Sequence, residues 1–192
     1  MKLFLITATF AILIASCNSS KLEDEAKPDI NKDTTLAVPD STTNPTSKDT
    51  AASEADLGGV GDLSLGHSDT KAIELLGQPD SKSKAEEWGA DGLMHQDWLY
   101  KFKGITLNMD NSKGNDKQAI FSITITSPCT LKTKTNMGIG STYNEVMAAY
   151  ANNIDKSFTD KATITVGSVY GGIIFSFKND KAEKIFIGAA AE

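Results

Sequence analysis

Arginine is missing altogether: the chain's 19 basic side chains are all lysine. With it goes the planar fork that usually grips phosphate and carboxylate groups at two points. Against 25 acidic residues the lysines leave a net charge of −6, which repels a phosphate backbone and argues against nucleic acid as a partner. Histidine is as scarce as cysteine, two of each. His67 and His95 have no second histidine at a ligand spacing, so neither a zinc site nor a Ser-His-Asp arrangement is expected, and both read as solvated side chains. A glycine-rich phosphate cradle is absent too, and no cofactor is expected. The stretch from Asn18 to Ala55 contains no aromatic residue. Such a polar segment cannot bury enough apolar surface to offset its conformational entropy.

The N-terminus has Lys2 followed by an apolar run from Leu3 to Ala15, short of the roughly 20 residues that a helix needs to cross a bilayer. A cationic start, a short apolar stretch and small residues before a cut site describe a secretory signal peptide over 1–16. Ile14-Ala15-Ser16-Cys17 resembles the bacterial lipobox. That resemblance implies an acylated Cys17 as the first mature residue and a membrane partner reached through lipid rather than through a spanning helix. One chain holds a protein marginally at about 0.8 kcal/mol per buried methylene, whereas several hold it durably. Asn18 stands where Asp would imply retention at the inner membrane, so the resemblance points to the outer membrane. Lys21-Leu22-Glu23-Asp24-Glu25 reads either as a surface-export signal or as a solvated charge run. Lipidation of Cys17 leaves Cys129 without a partner in the chain, so no intramolecular disulfide is expected. Cys129 itself, beside Pro128 and far from any histidine, reads as a structural thiol rather than a nucleophile.

Residues 17–55 are then a lipidated cysteine and a flexible tether, with a reach of roughly 35 Å for a coil of that length. Residues 56–192 are expected to form one domain with internal similarity. LGHSDTKAIELLG (65–77) lies over IGSTYNEVMAAYA (139–151), matching Gly66 to Gly140 and Ala72 to Val146. GITLNMD (104–110) lies over GIIFSFK (172–178), and SITI (122–125) over KIFI (184–187), with a longer loop around Asn111 to Lys117 in the first copy. The repeats span 57–127 and 131–192.

Each repeat begins with a helix signal. Thr142 with Glu145 forms a capping box, Ser68 holds the same place in the first copy, and apolar residues follow at helical spacing. Gly77 and Pro79 stop the first helix. After each helix the period changes to two. Trp98, Tyr100 and Phe102 fall on one face with Lys101 and Lys103 on the other. Ile105, Leu107 and Met109 alternate with Thr106 and Asn108; Phe121, Ile123 and Ile125 alternate with Ser122, Thr124 and Thr126; Ile173, Phe175 and Phe177 alternate with Ile174, Ser176 and Lys178. The expected fold is α+β: two tandem helix-plus-strand-meander repeats forming one curved antiparallel sheet, with helices on one face and the other face open.

A helix introduced by G-x-S/T, then a G-x-P turn before a W-x-Y strand, resembles two related groups. One is the small outer-membrane assembly lipoproteins of the SmpA/OmlA (BamE-like) type, with a single such unit. The other is the β-lactamase-inhibitor-protein-like (BLIP-like) group, where two units share one sheet; the two copies here make it the closer match. The resemblance implies that the open sheet face and its turns grip a protein partner. Where that group carries an acidic turn residue, this chain has Phe102-Lys103-Gly104, so the same target is not expected.

DNSKGND (110–116) offers oxygen donors but places Lys113 among them and lacks a closing Glu, so it reads as a hairpin loop rather than a calcium site. The candidate contact surface comprises Trp88, set in the polar stretch KAEEWGADG, and the face residues Lys101, Thr106, Asn108, Thr124, Ile174, Ser176 and Lys178. The expected function is a lipid-anchored, non-enzymatic module that binds a protein or peptide. The alternative is an assembly scaffold of the SmpA/OmlA type at the outer membrane.

Overall fold

A computed structural model describes residues 57–190. The expected signal peptide, Cys17, the acidic tract and the tether lie outside the described residues. A short hairpin comes first, β1 (Gly59–Val60) and β2 (Leu63–Ser64). Helix α1 (Asp69–Leu76) follows, then the strand fragments β3 (Ser81–Lys82) and β4 (Glu86–Glu87). Strands β5 (Met94–Tyr100), β6 (Ile105–Asn111) and β7 (Ala119–Thr126) make a meander. Helix α2 (Tyr143–Ala149) precedes a second meander of β8 (Thr163–Ser168), β9 (Gly171–Lys178) and β10 (Lys181–Gly188). The class is α+β, dominated by antiparallel sheet, with two helices among the described residues. None of these helices is long and apolar enough to cross a membrane.

The helices begin where short polar side chains can satisfy orphan amides. The Ser68 hydroxyl accepts from the Lys71 amide at 3.2 Å. The Thr142 hydroxyl accepts from the Glu145 amide at 3.2 Å, while the Glu145 carboxylate accepts from the Thr142 amide at 2.7 Å. Gly77 ends α1 at φ 79°, in the left-handed half of the map that glycine tolerates. Each helix buries a single small or branched residue, Ala72 and Val146, in the shared apolar core.

The main sheet runs β3-β5-β6-β7-β10-β9-β8, with β4 also paired to β5. Its centre is the antiparallel pair of β7 and β10, where Ile123 faces Ile187, Thr124 faces Phe186 and Ile125 faces Ile185. Flanking contacts recur in the same form on either side. The Gly66 and Gly140 amides donate to the Ile120 and Ala182 carbonyls, each at 2.8 Å. Ser68 bridges to Ala119 and Thr142 to Lys181, the first residues of β7 and β10. One face of the sheet is the core: Trp98, Leu107, Ile123, Ile125, Ile164, Ile173, Phe175, Ile185 and Ile187 are all essentially inaccessible. Burying each such side chain stabilises the fold by about 1.5–3 kcal/mol.

Three expectations from the alternating pattern are corrected here. Strand β5 stops at Tyr100, and Lys101–Lys103 form a 3-10 turn closed by Gly104 at φ 64°. Phe102 is therefore 87% exposed instead of joining Trp98 and Tyr100 in the core, and Lys101 sits in the turn instead of on the sheet face. A side chain at Gly104 would collide with the Thr126 carbonyl, so the tight turn requires glycine. Phe121 is the third case. The pairing of β6 with β7 slips between Asn108 and Met109, so Ile120 faces Met109 and enters the core while Phe121 is left as an extra residue. A bulge of this kind resets the alternation, and Phe121 projects from the face opposite the core.

Candidate binding groove on the second sheet face

On the face opposite the core, the bulge residue Phe121, with Ser122 and Thr124 of β7, meets Lys184 and Phe186 of β10 and Ile174 and Ser176 of β9. Together with Trp88, Ala189 and Ala190 these residues line a groove of about 580 Å³. The strand register explains the grouping. Phe186 lies opposite both Thr124 and Ile174, and Lys184 opposite Ser176, so alternate residues of three neighbouring strands point into one hollow.

Trp88 forms one wall because the turn after β4 folds over the sheet. Its amide donates to the Leu93 carbonyl and its carbonyl accepts from the Gly92 amide, each at 2.9 Å. The indole stacks on the His95 ring, with centroids 3.7 Å apart and planes 11° from parallel, and meets Phe121 edge-on at 5.8 Å. His95 is correspondingly 2% exposed, which corrects the expectation of a solvated histidine. Asn108 Nδ2 donates to Asp97 at 2.8 Å, turning Asn108 Oδ1 toward His95 Nδ1 at 2.7 Å. His95 Nε2 faces Asp91 Oδ2 at 2.9 Å. Both ring nitrogens thus face side-chain oxygens. The Leu93 amide, helped by His95, holds the Asp91 carboxyl below the usual carboxylate range, whereas burial pushes the Asp110 carboxyl up.

The predicted surface residues separate into three groups. Trp88, Thr124, Ile174 and Ser176 line the groove. Thr106 pairs with Leu99 and Thr124 on the same face but outside the lining, and Asn108 is engaged in holding His95. Lys101 lies in the β5–β6 turn, and Lys178 at the exposed end of β9, opposite Lys181. Sequence reasoning missed Phe121, Ser122, Lys184, Phe186, Ala189 and Ala190. KIFI carried a signal for Phe186, since of three successive apolar residues in a strand the middle one must face away from its neighbours.

Other features are less suited to recognition. A second hollow of about 640 Å³ between Leu57, Asn152 and Tyr170 has, among the described residues, no carboxylate, lysine or histidine in its lining. Cys129 is buried, and that burial raises its thiol pKa against the opposing Leu131 amide, which disfavours the reactive thiolate. The stretch 110–116 ends β6 and enters the loop that leads to β7, with Gly114 at φ 83°. Among the described residues, no three His, Cys, Asp or Glu side chains cluster closely enough to hold a metal ion. No protein-family model, curated protein or solved structure matches the chain.

Proposed function

We propose that this protein is a lipid-anchored binding module of the cell envelope that holds a protein or peptide against the second face of its sheet, without catalysis. The observation that carries the reading is the groove itself: Trp88, Phe121, Ile174 and Phe186 converge on the side of the sheet away from the core. Aromatic side chains gathered with a few polar groups in one hollow are the usual make-up of a recognition site. The architecture is read as two tandem copies of a helix and a three-strand meander, similar to the BLIP-like arrangement. In support, the Gly66–Ile120 and Gly140–Ala182 hydrogen bonds, the two helix caps and the pairing of β7 with β10 recur about the Thr124–Phe186 pair. The anchor is assigned to Cys17 and the location to the outer membrane, on the lipobox-like residues and Asn18.

Photocrosslinking from position 186 in intact cells tests the binding reading. Capture of a protein or peptide that is lost in a Trp88→Ala, Ile174→Ala double variant supports it, and equal capture by that variant refutes it. Mass measurement of the mature N-terminus tests the anchor. The alternative, an assembly scaffold of the SmpA/OmlA type, draws on a different observation. Phe102 stands exposed in the β5–β6 turn, beside half-buried Leu75 and Leu76. Stable co-purification with outer-membrane β-barrel machinery, abolished by Phe102→Ala and untouched by the groove variant, would favour that scaffold.

A further inference from the structure

We infer that the groove takes a peptide C-terminus ending in an apolar residue, with Lys184 meeting the terminal carboxylate. The inference rests on the peptide-binding reading above and adds the chemistry of the ligand. Among the described residues Lys184 is the only charged one lining the groove, and no carboxylate lies within ion-pair distance of it. Glu183, its neighbour in the chain, is exposed and outside the lining. Two other acids of this face are already engaged, Asp91 on His95 and Asp97 on Asn108. A lone lysine beside an apolar hollow is matched by one negative charge on an apolar body.

The hydroxyls decide between a peptide and a simple hydrocarbon acid. Among the described residues, Ser122, Thr124 and Ser176 make no side-chain hydrogen bond to another protein group, although all three line the groove. Covered by an alkyl chain, these hydroxyls would lose water and gain nothing, and a buried polar group left unpaired is costly. A peptide's amides and carbonyls can pair with them. Phe121, Ile174 and Phe186 then receive the terminal side chain. The hollow's volume, about 580 Å³, falls within the roughly 300–1,000 Å³ of small-ligand sites and so suits the end of a chain rather than a folded surface.

The test is calorimetric titration of the full chain with an acetylated hexapeptide of alanine and serine ending in Val-Phe. The free acid is compared with its C-terminal amide and with dodecanoate. The free acid should bind at least tenfold more tightly than the amide, and Lys184→Gln should remove that preference. Equal affinity for acid and amide overturns the inference, as does an undiminished preference in Lys184→Gln. Tighter binding of dodecanoate than of the peptide acid overturns it as well, by assigning the groove to a free acid. If the hexapeptide acid does not bind but position 186 still crosslinks a cellular protein, the C-terminal inference fails and the binding reading stands. If both fail, the reading fails with it.

Discussion

The meander β5-β6-β7 and the meander β8-β9-β10 present closely corresponding core residues and unlike outer faces. At the centre Ile123 and Ile125 pair with Ile187 and Ile185, so each side supplies the same kind of residue to the core. Each meander also carries one irregularity, with Phe121 the extra residue in β7 and Glu183 the extra residue in β10. The next residue is Ser122 on one side and Lys184 on the other, and two further on Thr124 stands against Phe186. The first meander holds the Trp88–His95 stack, while on the second Thr165 is tied down by the Phe158 carbonyl at 2.8 Å and the Thr159 hydroxyl at 3.0 Å. Close packing constrains the buried face, because a changed volume there costs stability; the outer face is free to differ.

The sharpest way to break the comparison is in the core. Ile123→Ala and Ile185→Ala should each cost about 2–5 kcal/mol in urea unfolding, since both leave a cavity beneath the central strand pair. A loss confined to one of them would show that the halves do not share the core equally.

His95→Ala should have the next largest effect, about 1–3 kcal/mol, because it strips Asn108 and Asp91 of a partner and removes the surface beneath Trp88. Acrylamide quenching reads the same change, since Trp98 is buried and silent and half-buried Trp88 becomes more accessible. Thr165→Ala, the nearest counterpart in the second meander, should leave quenching unchanged.

The helix caps offer a smaller contrast. Thr142→Ala should cost about 1 kcal/mol and Ser68→Ala less, because the first removes two hydrogen bonds of the Thr142 hydroxyl, one accepted from the Glu145 amide and one donated to its carboxylate, and the second a single one. The Thr142 amide, and then its hydroxyl, hold the Glu145 carboxyl below its ordinary value. A folded-state pKa below the unfolded one contributes stability at neutral pH that disappears as pH falls through the folded value, here below the ordinary glutamate range. Stability measured from pH 6 down to pH 3 should therefore fall less steeply in Glu145→Gln than in the parent, with no matching change for Lys71→Gln in α1.

Tyr100→Phe should be the mildest change. The Tyr100 hydroxyl is buried with no hydrogen-bond partner among the described residues, and burial raises its pKa. Removing an unsatisfied hydroxyl should be neutral or stabilising by up to about 1 kcal/mol in the same unfolding assay.

Much of the scaffold was legible because local signals and burial agree. Ser68 and Thr142 cap helices as their neighbours imply, Gly77 ends the first helix, and alternation in β6 and β9 assigns Leu107 and Phe175 to the core. The groove was only half legible. Thr124, Ile174 and Ser176 followed from alternation, but Phe121 did not, because one extra residue inverts the pattern and nothing in its own identity announces that. Phe102 misled for the opposite reason: its spacing is that of a strand, yet Gly104 turns the chain before the strand reaches it.

By itself the sequence determined the alternation that separates core from surface, the starts of both helices, and a charge balance without arginine. Those depend on residues close along the chain. Tertiary structure alone decided that β7 and β10 pair at the centre, that Trp88 meets Phe121, and that Lys184 joins Phe121 in one groove. These depend on contacts between residues tens of positions apart, where the register of hydrogen-bonded strands, and not local preference, sets which side chains meet.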